Sequence, residues 1–233
     1  MLPRSEAHHL ARVLRLAAGE LIVLFDGRGH EWLARVAETG RATVAVEVLE
    51  PRTPAPEPPV AVTLGLAVLK GDQMDSAIRD ATMVGAAVIA PFVSAHVAVA
   101  ERAWRARSLE RWERVAIASA KQCARAVVPV IRPVVRLDEL LAGPPAALRV
   151  LCVEPAQATH APQRTPLPRP SEALICVGPE GGWTVEELTL AERAGCEMLT
   201  LGPRTLRAEA APLVVLSVLW AWWGWTGEGK ARS

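Results

Sequence analysis

A chain of 233 residues, of which 51% are hydrophobic and 22% are charged, is large enough to bury a core and too apolar to be intrinsically disordered. Its net charge of +1 excludes no class of partner. The four cysteines are far apart and form no CxxC pair or Cys/His cluster, so we expect neither a metal site nor a disulfide scaffold. The amino terminus has no basic-then-apolar signal pattern, which favours a cytoplasmic location.

The first part of the chain predicts a small domain rich in β-structure. Five prolines fall within residues 51–59, and because proline fixes φ and favours extended backbone, this segment is expected to be a stiff linker. We therefore expect a β-barrel-like domain at 1–52 and a second domain at 60–233. The elements predicted before the linker are a short helix around 9–14 and strands at 21–25, 32–37 and 42–49.

After the linker, strands alternate with helices. This pattern is typical of a parallel sheet with helices on its faces, which makes the fold class α/β. Thr184 begins a capping box that opens a helix ending at Gly195. The other predicted elements are strands at 60–69, 87–93, 130–135, 148–153, 173–177 and 198–201, and helices at 72–84 and 108–124.

The positive charge is concentrated in one stretch of the second domain. Residues 101–136 carry 9 basic and 3 acidic side chains, a local net charge of +6. Such a stretch attracts phosphate groups, but on charge alone it fits a solvated helix face equally well.

Residues 211–225 are strongly apolar and contain four tryptophans. As a helix this segment would span about 22 Å, which is short of the ~30 Å hydrocarbon core of a membrane. We therefore expect no membrane insertion, and we interpret the segment as a helix buried at a dimer interface.

Two glycine-containing loops follow predicted strands and precede helices. They read GPEGGW at 178–183 and LGPRTLRAE at 201–209. Glycine lets a ligand approach the backbone, a helix N-terminus offers free N–H groups, and ligands of open α/β sheets lie beyond the carboxyl ends of the strands. Two such loops at the same end of one sheet can line one pocket.

Taken together, these motifs resemble the 16S rRNA (uracil-N3) methyltransferases, also called ribosomal RNA small subunit methyltransferase E, of the SPOUT superfamily. Three more segments are similar to that family in the expected order: HHLARVLR at 8–15 with LFDG at 24–27, LKGDQMD at 69–75, and AKQCAR at 120–125. The resemblance covers nearly the whole chain.

The resemblance implies a SPOUT-type parallel sheet with a C-terminal trefoil knot, preceded by a PUA-like β-barrel domain that here begins late and is short at its amino end. It also implies a homodimer, S-adenosylmethionine as the cofactor, and 16S rRNA of the small ribosomal subunit as the partner. By position, the cofactor residues would be Val153, Glu154, Gly178, Pro179, Glu180, Gly181, Gly182, Leu201, Gly202, Arg204 and Leu206.

Methylation at uracil N3 requires a group that accepts the N3 proton, and the base must be unpaired or flipped out. We expect Glu209 to accept the proton, and Arg207 to stabilise the developing anion. Arg125 is the third expected catalytic residue. The alternatives are a helix-terminal charge for Glu209 and a surface ion pair for Arg125. The residues expected to contact RNA are Arg12, Arg15, Lys121, Gln122 and Arg125.

Two other functions stay open on the sequence. The chain could be an RNA-binding module without catalysis, although the near-neutral charge of residues 1–59 disfavours this reading. It could also be a SPOUT methyltransferase that acts on another RNA.

Overall fold

A computed structural model describes residues 16–40, 43–96, 107–157 and 166–225. The chain divides into two compact units. The first comprises Met1–Pro56 together with Ala124–Val127, and the second comprises Glu57–Cys123 together with Val128–Ser233. The predicted helix around 9–14 lies outside the described residues.

In its described part, the first unit is an antiparallel sheet of three strands in the order β1-β2-β3. The register of β2 against β3 shifts twice, between Leu33 and Ala34 and between Val36 and Glu38. Residues 124–127 join this unit, because the amide of Gly29 donates to the carbonyl of Ala126 at 3.1 Å. The strands are β1 (Leu21–Phe25), β2 (Glu31–Thr39) and β3 (Val44–Arg52).

The second unit contains a parallel sheet, as the alternating pattern predicts. Its order is β10-β8-β9-β4-β5-β6, and β7 also pairs with β5. The strands are β4 (Ala61–Ala67), β5 (Val88–Val93), β6 (Val130–Ile131), β7 (Val135–Arg136), β8 (Leu148–Cys152), β9 (Glu172–Val177) and β10 (Glu197–Leu199). The helices are α1 (Asp72–Met83), α2 (Arg107–Gln122), α3 (Leu137–Ala142), α4 (Val185–Arg193) and α5 (Ala211–Trp222), with a 3₁₀ turn at Pro155–Gln157.

Helices cover both faces of this sheet. Met74 of α1, Trp112 of α2 and Leu216 of α5 belong to one buried cluster, and Leu140 of α3 and Ala191 of α4 belong to the other. The arrangement is therefore a three-layer α/β fold.

Three elements differ from the sequence prediction. Strand β3 continues through Pro51 to Arg52, into the segment predicted to be a linker, because Pro51 and Arg52 pair with β2. The run at 130–135 is two short strands rather than one, because Pro133 lies between them and lacks the N–H that a continuous ladder needs. Helix α3 was not predicted, because its six residues are too few to show a clear helical period.

The tryptophans of the C-terminal segment pack within this unit. Trp220 and Trp223 are each 2% exposed, and their indole N–H groups donate to the carbonyls of Val84 at 2.6 Å and Pro168 at 3.1 Å. These two residues therefore belong to the core of the chain itself, and the expectation that the segment lies at a dimer interface stays a prediction. Among the described residues, no helix is both long and apolar enough to cross a membrane.

Candidate functional site

The loops that follow β8, β9 and β10 enclose one cavity. These three strands are neighbours in a parallel sheet, so their carboxyl ends lie at the same edge. The cavity has a volume of about 390 Å³. Its walls are formed by Gln73, Cys152, Val153, Glu154, Pro155, Val177, Gly178, Pro179, Glu180, Gly182, Trp183, Leu201, Arg204, Thr205, Leu206, Arg207, Ala208, Glu209 and Ala211.

Two positions in the loop after β9 must be glycine, because a side chain there would be too close to a neighbouring residue. A Cβ atom on Gly178 would lie 2.8 Å from Cε2 of Trp183, and one on Gly181 would lie 2.8 Å from Cβ of His96. Distances below 3.0 Å are closer than van der Waals contact allows. The loop can therefore fold this tightly only without side chains at these positions.

The side chain of Trp183 fixes the position of this loop. Its side chain is 4% exposed, and its indole N–H donates to the carbonyl of Cys152 at 2.8 Å. Its ring stacks on Phe92 with 5.9 Å between the ring centroids. The side-chain amide Nε2 of Gln157 donates to the backbone carbonyl of Trp183 at 2.7 Å. These contacts connect the loop to β8, to β5 and to the turn after Glu154.

The capping box predicted at Thr184 is present. The hydroxyl of Thr184 accepts from the amide of Glu187 at 3.2 Å, and Oε2 of Glu187 accepts from the amide of Thr184 at 3.0 Å. The other carboxylate oxygen of Glu187 accepts from the amide of Ala95 at 2.9 Å. One side chain thus fixes the start of α4 and ties it to the segment that follows β5.

The loop after β10 brings a cation and a carboxylate to the cavity. Arg207 and Glu209 both line it, and the carbonyl of Arg207 accepts from the amides of Ala210 at 3.0 Å and Ala211 at 3.1 Å. Glu209 therefore lies in a tight turn immediately before α5. Its Oε2 accepts a hydrogen bond from Nε2 of Gln73 at 3.4 Å.

The predicted cofactor residues lie around this one cavity, except for Gly181 and Gly202. Of the predicted catalytic residues, Arg207 and Glu209 line the cavity, and Arg125 is not among its walls. Arg125 belongs to the first unit and is 7% exposed, so it is not a surface residue, and its catalytic role stays a prediction. Sequence reasoning missed Gln73 as a wall residue, although the LKGDQMD motif that contains it was singled out.

The predicted RNA contacts are distributed over several places. Lys121 and Gln122 are exposed at the end of α2, and Arg12 and Arg15 lie outside the described residues. The basic stretch is partly neutralised in its described part, because Arg111 bonds Asp75 at 2.8 Å and Asp72 at 2.9 Å.

Burial disfavours the thiolate form of two cysteines, Cys152 in the cavity wall and Cys196 in the core cluster that includes α4. It raises the pKa of Cys152 to about 12 and that of Cys196 to about 11. Within the described ranges, no group of three or more His, Cys, Asp or Glu side chains could hold a metal ion.

Comparison with known families matches both parts of the chain. A model described as an RNA methyltransferase domain matches residues 56–220, and a model described as an RNA methyltransferase PUA domain matches residues 2–49. The chain is 33% identical over 223 residues to ribosomal RNA small subunit methyltransferase E of a Synechocystis species, covering 93% of this chain and 71% of that protein. It is 31% identical over 225 residues to the protein of the same name from Bacillus subtilis, covering 92% of this chain and 87% of the relative.

Solved structures give the same result. Ribosomal RNA small subunit methyltransferase E of Neisseria gonorrhoeae, solved with S-adenosylmethionine, superposes with a TM-score of 0.86 at 32% identity and covers 95% of this chain and 91% of its own. A Legionella pneumophila protein, also solved with S-adenosylmethionine bound, superposes with a TM-score of 0.88 at 28% identity and covers 94% and 90% of the two chains.

Proposed function

Because the chain belongs to the family of ribosomal RNA small subunit methyltransferases E, we propose that it methylates N3 of a specific uracil in 16S rRNA with S-adenosylmethionine as the methyl donor. The observation that carries this proposal is the single cavity at the carboxyl ends of β8, β9 and β10. An RNA-binding module without catalysis has no need of such a cavity. An rRNA substrate is consistent with action in the cytoplasm.

The residues of the cavity fit this cofactor. A volume of about 390 Å³ lies within the range of ~300–1,000 Å³ that is usual for small-molecule sites. The uncovered backbone of the glycine loop can bond the polar edges of an adenosine, and Leu201 and Leu206 offer apolar surface to its ring. The carboxylates of Glu154 and Glu180 suit a positively charged sulfonium compound. When bound, the cofactor supplies an electrophilic methyl group.

The loop after β10 provides the groups that act on the uracil. We assign to Glu209 the role of accepting the N3 proton, and to Arg207 the role of stabilising the negative charge that develops on the ring. Both side chains line the cavity, so they are close to the cofactor site.

The remaining predicted residues are assigned to the RNA. Lys121 and Gln122 are exposed and can reach phosphate or base, and Arg12 and Arg15 are proposed as contacts of the amino-terminal domain. Arg125 is proposed to act on the bound nucleotide from the segment 124–127. Its neighbour Ala124 adopts a left-handed φ of 55°, a strained backbone of the kind that clusters at functional sites.

We further propose that residues 1–52 form a PUA-like barrel and that residues 60–233 form a SPOUT domain with a trefoil knot. The knot is supported by the chain path, because β9 lies between β8 and β4 while α5, which follows the edge strand β10, packs against α1. The homodimer is proposed from the resemblance to the family.

Methyl transfer by the purified chain tests the proposed function. The chain is incubated with methyl-labelled S-adenosylmethionine and, separately, with 16S rRNA, small ribosomal subunits, 23S rRNA and transfer RNA, and the nucleosides are then identified by mass spectrometry. We expect N3-methyluridine in 16S rRNA alone. Label in another RNA would support the alternative substrate, and binding of RNA without binding of S-adenosylhomocysteine would contradict the enzyme.

A further inference from the structure

The contact between Gln73 and Glu209 connects two segments that are 136 residues apart in the sequence. We propose that Gln73 is a positioning residue, which holds Oε2 of Glu209 so that the other carboxylate oxygen is available to take the N3 proton. This inference rests on the proposed function, because it assigns a partner to the group that acts as the base.

Both side chains extend from anchored backbone. Gln73 lies in the first turn of α1, whose next residue, Met74, is 1% exposed in the core. Glu209 lies in the turn before α5, and α5 packs against α1. The bond from the indole of Trp220 to the carbonyl of Val84 joins the two helices at a second place. The packing of α1 against α5 therefore fixes the two backbone positions from which Gln73 and Glu209 meet.

The donor–acceptor distance of 3.4 Å is longer than the usual ~2.7–3.2 Å of an N–H···O bond. Catalytic hydrogen bonds are often long in the absence of ligands and shorten when substrate binds. Gln73 lines the cavity together with Glu209, so a bound nucleotide and cofactor would confine both side chains further.

The neutral amide of Gln73 affects the basicity of Glu209 differently from a charged side chain. Gln73 donates without carrying charge, whereas a lysine or arginine at this position would stabilise the charged carboxylate and make it a weaker base. The other charged side chains that line the cavity are Glu154, Glu180, Arg204 and Arg207. The neighbouring Asp72 instead bonds Arg111, so it supplies a control on the same helix turn.

A double-mutant cycle tests the proposal. The variants are Gln73→Met, which keeps the length of the side chain and removes the donor, Glu209→Gln, and the pair together. Asp72→Asn is the matched control, because its side chain is exposed and does not line the cavity. The measurements are the single-turnover rate of methyl transfer to 16S rRNA, the dissociation constant for S-adenosylhomocysteine and the thermal unfolding midpoint.

We expect Gln73→Met to slow methyl transfer about tenfold, the effect of losing one hydrogen bond to a charged group. We expect Glu209→Gln to slow it about a hundredfold or more, and the double variant to be no slower than Glu209→Gln alone. The Asp72→Asn control should bind S-adenosylhomocysteine and methylate 16S rRNA as the wild type does. Multiplicative losses in the double variant, or a Gln73→Met enzyme as fast as the wild type, would overturn the proposal.

A second variant separates positioning from a role in folding. Gln73→Lys keeps a donor and adds a charge, so the acidic limb of the pH–rate profile should move to lower pH, and the plateau rate should fall because the carboxylate is a weaker base. An unmoved limb would contradict the assignment. A wild-type chain that binds the cofactor but methylates no RNA would overturn the proposed function itself, whereas the preceding outcomes concern Gln73 alone.

Discussion

Gly178 lines the cavity at a position where an added Cβ atom would be too close to a neighbouring ring. Gly178→Ala places a Cβ atom 2.8 Å from the ring of Trp183, which is held by its bond to Cys152 and by its stacking on Phe92. Overpacking of this kind costs about 1–3 kcal/mol. We therefore expect the affinity for S-adenosylhomocysteine to fall about tenfold or more when measured by titration calorimetry.

The control for this change is Gly195→Asn at the end of α4. Gly195 has a φ of 74°, which asparagine tolerates, and it has no neighbour within 4 Å of an added Cβ and does not line the cavity. This variant should bind the cofactor as the wild type does. Equal affinity of the Gly178→Ala variant and the wild type would show that the loop is not a cofactor wall.

Replacing Arg125 is expected to change RNA methylation rather than cofactor binding. The residue does not line the cavity and belongs to the first unit, so Arg125→Ala should reduce RNA methylation while sparing the affinity for S-adenosylhomocysteine. Because Arg125 is 7% exposed, the thermal unfolding midpoint is measured alongside, and Arg125→Lys serves as the variant that keeps the charge. Equal loss of methylation and of cofactor affinity would refute this division of labour.

At the residue scale, the sequence predicted many of the residues that line the cavity but not the contacts between them. Glu209, Gly178 and Gly182 could be placed at the cavity because they stand in contiguous motifs. The bond from Gln73 to Glu209 could not be predicted, since it depends on how α1 packs against α5. Likewise, the burial of Arg125 depends on contacts that bring residues 124–127 into the first unit.

At the scale of elements, the capping box at the start of α4 stabilises the helix that directly follows the glycine loop. Thr184→Ala removes the hydroxyl that caps α4 and should lower the free energy of unfolding by about 1 kcal/mol in a urea titration. Thr189→Ala is the matched control, because the hydroxyl of Thr189 bonds only the carbonyl of Val185 within the same helix. A control that loses as much stability as Thr184→Ala would contradict the role of the cap.

The capping box was predictable because its signal is local. Thr184 and Glu187 are three residues apart, and their pairing needs no information from the rest of the chain. Helix α3 shows the opposite case. Its six residues form a helix whose leucines, Leu137, Leu140 and Leu141, are buried against the sheet. This tertiary contact cannot be recognised from so short a segment.

At the scale of the whole molecule, the strand order creates the site. The alternation of strands and helices predicts a parallel sheet, but it does not predict that β9 lies between β8 and β4 or that β10 pairs with β8. That order brings the carboxyl ends of β8, β9 and β10 side by side. The cavity therefore follows from long-range pairing. The two loop motifs indicated that a pocket could form, but not which strands would bring the loops together.

The most direct test of the central claim is mass mapping of 16S rRNA from three strains: one that has this chain, one that lacks it, and one in which the chain carries Gly178→Ala. We expect N3-methyluridine at one position in the first strain, none in the second, and a reduced amount in the third. The same N3-methyluridine in the strain that lacks the chain, or the loss of a methyl group from a different RNA, would contradict it.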